Sequence, residues 1–62
     1  MKFIQLTENN PSLSKQEILI NIQCIESIQP RLQETAIRCT SDRIYLVKES
    51  VDEIIGMINN ES

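Results

Sequence analysis

Four side chains in this sequence have types and spacing suited to binding chemistry: Arg38, Arg43, Tyr45 and Lys48, all within RCTSDRIYLVK. Guanidinium and ammonium groups neutralise phosphates, and a tyrosine ring offers a base something to stack on. Basic residues beside an aromatic ring on a sheet can therefore hold RNA or single-stranded DNA. One tyrosine is a small platform, and the competing reading is a solvated sheet face on which Arg packs against Tyr. The formal charge of −3 gives no general attraction to polyanions. Any nucleic-acid role thus rests on this cluster, joined at most by Arg31.

The junction LVKESVDEII, residues 46–55, is a second candidate. Apolar residues fall at every second position before Glu49 and three or four apart after Ser50, the mark of a strand running into a helix. Such elbows hold phosphate when their amides are free, glycine allows close approach and a cation is near. Here there is no glycine, Ser50 and Glu53 supply internal acceptors, and Glu49, Asp52 and Glu53 repel an anion. The elbow reads as a turn, with Lys48 too little to reverse that.

Catalytic groups are few. The chain has no histidine, and its two cysteines, Cys24 and Cys39, have no activating base beside them in sequence. Both read as small buried hydrophobes, and without histidine a zinc site lacks ligands. No enzyme activity, cofactor or metal is expected. MKFIQLTENN has none of the apolar character of a secretory signal, and no apolar run is long enough to span a bilayer, so a cytoplasmic protein without a membrane partner is expected.

These groups need elements to position them. Residues 1–62 are read as one small domain. KFIQLTE (2–8) reads as a strand with Ile4 and Leu6 on one face and Phe3 on the other, followed by a loop at 9–15. Ser14 and Glu17 have capping-box spacing, but the alternation of Ile18, Ile20 and Ile22 argues for a strand. Around Cys24–Glu26 the alternation breaks, through either a bulge or a turn into a short third strand that Pro30 ends. Arg31–Glu34 is a polar connection. TAIRCTSDRIYLVK then reads as a hairpin. A two-residue loop, Ser41-Asp42, sets Thr40 opposite Arg43, Arg38 opposite Tyr45 and Ala36 opposite Val47. On that register Ile37, Cys39, Ile44 and Leu46 share an apolar face, and Arg38, Thr40, Arg43 and Tyr45 share the other. Neither Ser nor Asp favours the positive φ of a tight primed turn, so a longer loop with shifted register is the alternative. Last comes a helix with Ser50 as N-cap and Glu53 completing a capping box. Its stripe is Val51, Ile54, Ile55 and Ile58, and NNES at 59–62 frays its end.

The expected fold class is α+β, with four to five mostly antiparallel strands followed by one C-terminal helix packed on the sheet. A chain of 62 residues buries only about 60% of its unfolded surface. Partner subunits are the natural supplement to so small a core. Phe3, Leu19, Val47 and one of Ile25 or Ile28 cannot all lie under the helix. Phe3, Leu19, Ile28 and Val47 are therefore interface candidates, and a homo-oligomer or an unidentified protein partner is expected.

MKFIQLT, ILINIQCIESIQP and IYLVKESVDEIIGMI together resemble the small FlbD-type proteins of flagellar and swarming motility. The resemblance is carried by Asn21, Ile25, Glu26, Ser27, Ile28 and Val47 to Ser50. It implies a small regulatory or interaction module. The chain departs from that pattern in having NNPSLSKQ and SD where the family usually places glycine in hairpin turns. A fainter similarity, to the last half of LytTR-type DNA-binding domains, covers topology alone, since the upstream basic residues of those domains have no counterpart.

Overall fold

The computed structural model describes residues 2–10, 12 and 16–61, the last by its backbone alone. The elements are β1 (Phe3–Thr7), β2 (Glu17–Asn21), a 3-10 turn (Ile22–Cys24), β3 (Ile25–Pro30), β4 (Thr35–Cys39), β5 (Ile44–Val47) and α1 (Val51–Glu61). Strand β1 pairs with β2, and β3, β4 and β5 form a second sheet in that order, every pair antiparallel. This is the α+β architecture expected from sequence, with five strands and a terminal helix.

Alternation sets the faces of the first sheet. Ile4, Leu6 and Ile20 turn inward and are 1–4% exposed, while Phe3, Gln5 and Leu19 turn outward. Ser14, whose capping-box spacing with Glu17 yields to the strand reading, lies outside the described residues; Glu17 opens β2 as that strand. Between β2 and β3 the structure contains both alternatives left open by sequence. The chain makes a 3-10 turn, capped by Asn21 Oδ1 accepting from Gln23 N–H at 3.0 Å, and the β3–β4 register then slips at Glu26.

The two sheets are joined on their other side. Glu8 bridges Val47, Lys48 N–H donates to the Thr7 carbonyl at 2.8 Å, and Asn9 N–H donates to the Leu46 carbonyl at 2.7 Å. The sheets thus curl around one core of Ile4, Leu6 and Ile20 from the first, Ile37, Cys39 and Val47 from the second, and Ile54 from the helix. Each such side chain contributes about 1.5–3 kcal/mol of burial.

The hairpin register differs by one from the two-residue-loop reading. Thr35 pairs with Val47, Ala36 with Leu46, Ile37 with Tyr45 and Arg38 with Ile44. Thr40, Ser41 and Asp42 form a three-residue loop: Asp42 N–H donates to the Cys39 carbonyl at 3.0 Å and Cys39 N–H to the Arg43 carbonyl at 2.8 Å. Asp42 takes φ 65°, the left-handed position of such loops, which Asp tolerates better than most side chains. One residue of slip exchanges the faces of β5. Tyr45 and Val47 join Ile37 on the core side, and Ile44, 59% exposed, leaves the apolar face assigned to it.

Helix α1 starts as its sequence requires. Ser50 Oγ accepts from Glu53 N–H at 3.2 Å, and Glu53 Oε1 accepts from Ser50 N–H at 3.4 Å and from Ser50 Oγ at 3.2 Å. Ile54 is fully buried, with Met57 and Ile58 packed around the core beside it. Ile55 is 45% exposed, so it lies off the stripe to which its spacing assigned it. The helix also continues through Asn59 and Asn60, past the expected point of fraying.

Candidate functional site

The basic and aromatic cluster is divided between positions that do not share a face. The Arg43 guanidinium lies 5.8 Å from the Tyr45 ring centroid, and its Nη1 donates to the tyrosine hydroxyl at 3.3 Å. Arg38 pairs with Ile44 in the register and so lies on the opposite face from Tyr45. Its guanidinium is 3.3 Å from Asp42 and 3.8 Å from Glu26, two carboxylates that offset its charge. Lys48 follows the far end of β5, where its Nζ donates to Gln16 Oε1 at 2.9 Å. Arg31 is 3.8 Å from Glu34 in the β3–β4 connection. The common sheet face of Arg38, Arg43 and Tyr45 is therefore not formed: only Arg43 and Tyr45 are brought together.

The elbow is occupied by the protein itself. The Glu49 carboxylate accepts from Thr7 N–H at 2.8 Å and from Thr7 Oγ1 at 2.9 Å, and its carbonyl accepts from Thr35 Oγ1 at 2.7 Å. Thr35 is buried, and its hydroxyl is satisfied by this bond. The Lys48 amide is bonded to the Thr7 carbonyl and the Glu53 amide to Ser50 Oγ, so two of the donors near the elbow are used internally. The clamp had no signal in sequence, because Thr7 and Glu49 stand 42 residues apart.

Cys24 is half-buried and Cys39 buried, both as free thiols. Burial pushes the Cys39 thiol above its ordinary value, with Cys24 adding to the effect and Arg43 opposing it. A thiol held protonated is a poor nucleophile and metal ligand. Among the described residues no group of three or more His, Cys, Asp or Glu is placed to hold a metal. Nor is any described helix long and apolar enough to cross a membrane.

The interface candidates separate cleanly. Val47 is fully buried, and Ile28, opposite Ile37, packs against the core; both belong to the interior. Phe3 and Leu19 are 44% and 67% exposed on the outer face of the β1–β2 sheet. A shallow groove there is lined by both, with Gln5, Met57 and Asn60. A second concavity at the strand edge is bounded by Gln5, Glu17, Ile18 and Leu19. Ile44, Ile55 and Leu32 are also exposed. Sequence reasoning missed Ile44 through the register slip and Ile55 through the helix phase.

A curled antiparallel sheet closed by a capped C-terminal helix, with the Ile25–Ile28 segment on β3 and the Val47–Ser50 elbow tied into the sheet, defines a small α+β class. The chain belongs to the FlbD family of flagellar and swarming motility proteins, whose family model matches residues 3–61. Comparison with curated proteins and with solved structures finds no significant match.

Proposed function

We propose that this chain is a non-enzymatic interaction module of flagellar or swarming motility, acting in the cytoplasm through protein contacts that include copies of itself. The observation that carries this reading is the outward display of Phe3 and Leu19 on a sheet whose inner face already buries Ile4, Leu6 and Ile20 in the core. Apolar side chains grouped on an outer face commonly mark an interface. Family membership supplies the motility context. The absence of histidine from the sequence and the protonated, buried Cys39 thiol support a binding role over a catalytic one. The nucleic-acid alternative has less support, since Arg43 and Tyr45 are the only members of that cluster in contact.

Deleting the chain in the organism that encodes it and scoring swarm expansion tests the reading. Expansion is expected to fall and to be restored by the wild-type chain. A Phe3→Ser, Leu19→Ser double variant with an unchanged unfolding midpoint is expected not to restore it. Normal swarming and swimming by the deletion strain would remove the motility role, and full rescue by the double variant would move the interface elsewhere.

A further inference from the structure

We propose that two copies of the chain join through their β2 strands, edge to edge and antiparallel, with Leu19 on the two-fold axis; this rests on the self-association named above and gives it a site. Strand β2 has an open edge. In the β1–β2 ladder Ile22 N–H donates to the Lys2 carbonyl at 3.0 Å, and Glu8 N–H donates to the Gln16 carbonyl. Both pairs are even-numbered, and hydrogen-bonded pairs recur at every second residue of an antiparallel ladder. Ile18 and Ile20 therefore turn their backbone groups toward β1. Glu17 and Leu19 turn both of theirs away, and Asn21 turns its N–H away. Among the described residues β2 pairs with β1 alone, and no backbone hydrogen bond reaches these outward groups.

Strand β3 also has an open side, but it carries the guards that natural edges use. It has a bulge at Glu26, that residue's charge, and Pro30 at its end. Strand β2 has no proline, lysine or bulge among Glu17, Ile18, Leu19, Ile20 and Asn21. Its one charge is compatible with self-pairing. With Leu19 opposite the partner's Leu19, Glu17 faces the partner's Asn21 and Ile18 faces the partner's Ile20, so no like charges meet. Leu19 exchanges two backbone bonds across the axis, and each Glu17 carbonyl accepts from the partner's Asn21. A shift by two residues in either direction leaves part of the strand unpaired, so the five residues select this register. The exposed Leu19 then seats beside the partner's Leu19, against the concavity formed by Gln5, Glu17 and Ile18.

The joint is isologous and uses about five residues a side, fewer than the 20–30 of a standard interface, so it dissociates within an ordinary dilution series. Light scattering and amide hydrogen exchange by NMR on the same dilution series test it. A dimer is expected at high concentration, with the Leu19 and Asn21 amides about tenfold or more slower to exchange there than at low concentration. Ile18 and Ile20, bonded within the chain, are expected to be slow at both. Leu19→Lys, which sets like charges on the axis, is expected to give a monomer with an unchanged unfolding midpoint. A dimer whose Leu19 and Asn21 amides exchange freely would overturn the β2 joint and leave self-association through another face. A monomer throughout would overturn the joint and self-association together, leaving the motility role to the deletion strain.

Discussion

Glu49 joins three parts of the chain that share no local sequence. Its carboxylate holds both donors of Thr7 on β1, its carbonyl holds the buried Thr35 hydroxyl on β4, and its own position fixes where α1 begins. Glu49→Ala leaves a half-buried amide and hydroxyl without acceptors and is expected to cost about 1–3 kcal/mol in a denaturant titration. Glu49→Gln keeps one acceptor oxygen and is expected to recover part of that. An unchanged midpoint for the alanine variant would mean that water replaces the carboxylate at no cost. Sequence reasoning read Glu49 only as a charge hostile to phosphate, which is compatible with its position but omits its function. A clamp between distant residues has no signature in spacing. The Asp42 turn was partly readable: the poor fit of Ser and Asp to a tight primed turn pointed to the longer loop that the structure contains.

At the scale of elements, local signals succeeded where they were chemically complete. Ser50 and Glu53 satisfy each other across one helical turn, so the start of α1 was legible in four residues. The phase of its stripe was not, because Val51, Ile54, Ile55 and Ile58 fit a helical period equally well whichever of Ile55 or Met57 faces inward. Packing decides between them. Ile54→Ala is expected to cost about 2–5 kcal/mol from lost contact and cavity, and Ile55→Ala well under half as much, compared by unfolding midpoint. Equal costs would mean that the helix turns to a different face. The β4–β5 hairpin fails in the same way: both strands were located, but one extra loop residue exchanged the roles of Ile44 and Tyr45 and separated Arg38 from the ring beside which it was expected.

For the whole molecule, alternation and one capped helix were enough to give an α+β class with four to five strands, of which the structure has five among the described residues. The division into two sheets was not legible, because it depends on the 3-10 turn at Ile22–Cys24 and on the Glu8–Val47 bridge. The surface was legible only where strand parity was simple, which is why Phe3 and Leu19 were identified and Ile44 was not. The bridge between the first and last strands also has a consequence in time. Contacts that close long loops form after local hairpins and helices, since the chain must first lose the freedom of everything between them. Thr7 and Glu49 meet across 42 residues of sequence. Stopped-flow measurements on Glu49→Ala should show a refolding rate close to that of the wild type and faster unfolding. Slowed refolding with unchanged unfolding would put the closure early. The latch between β1 and the elbow then governs how long each molecule stays folded, and hardly affects how quickly it gets there.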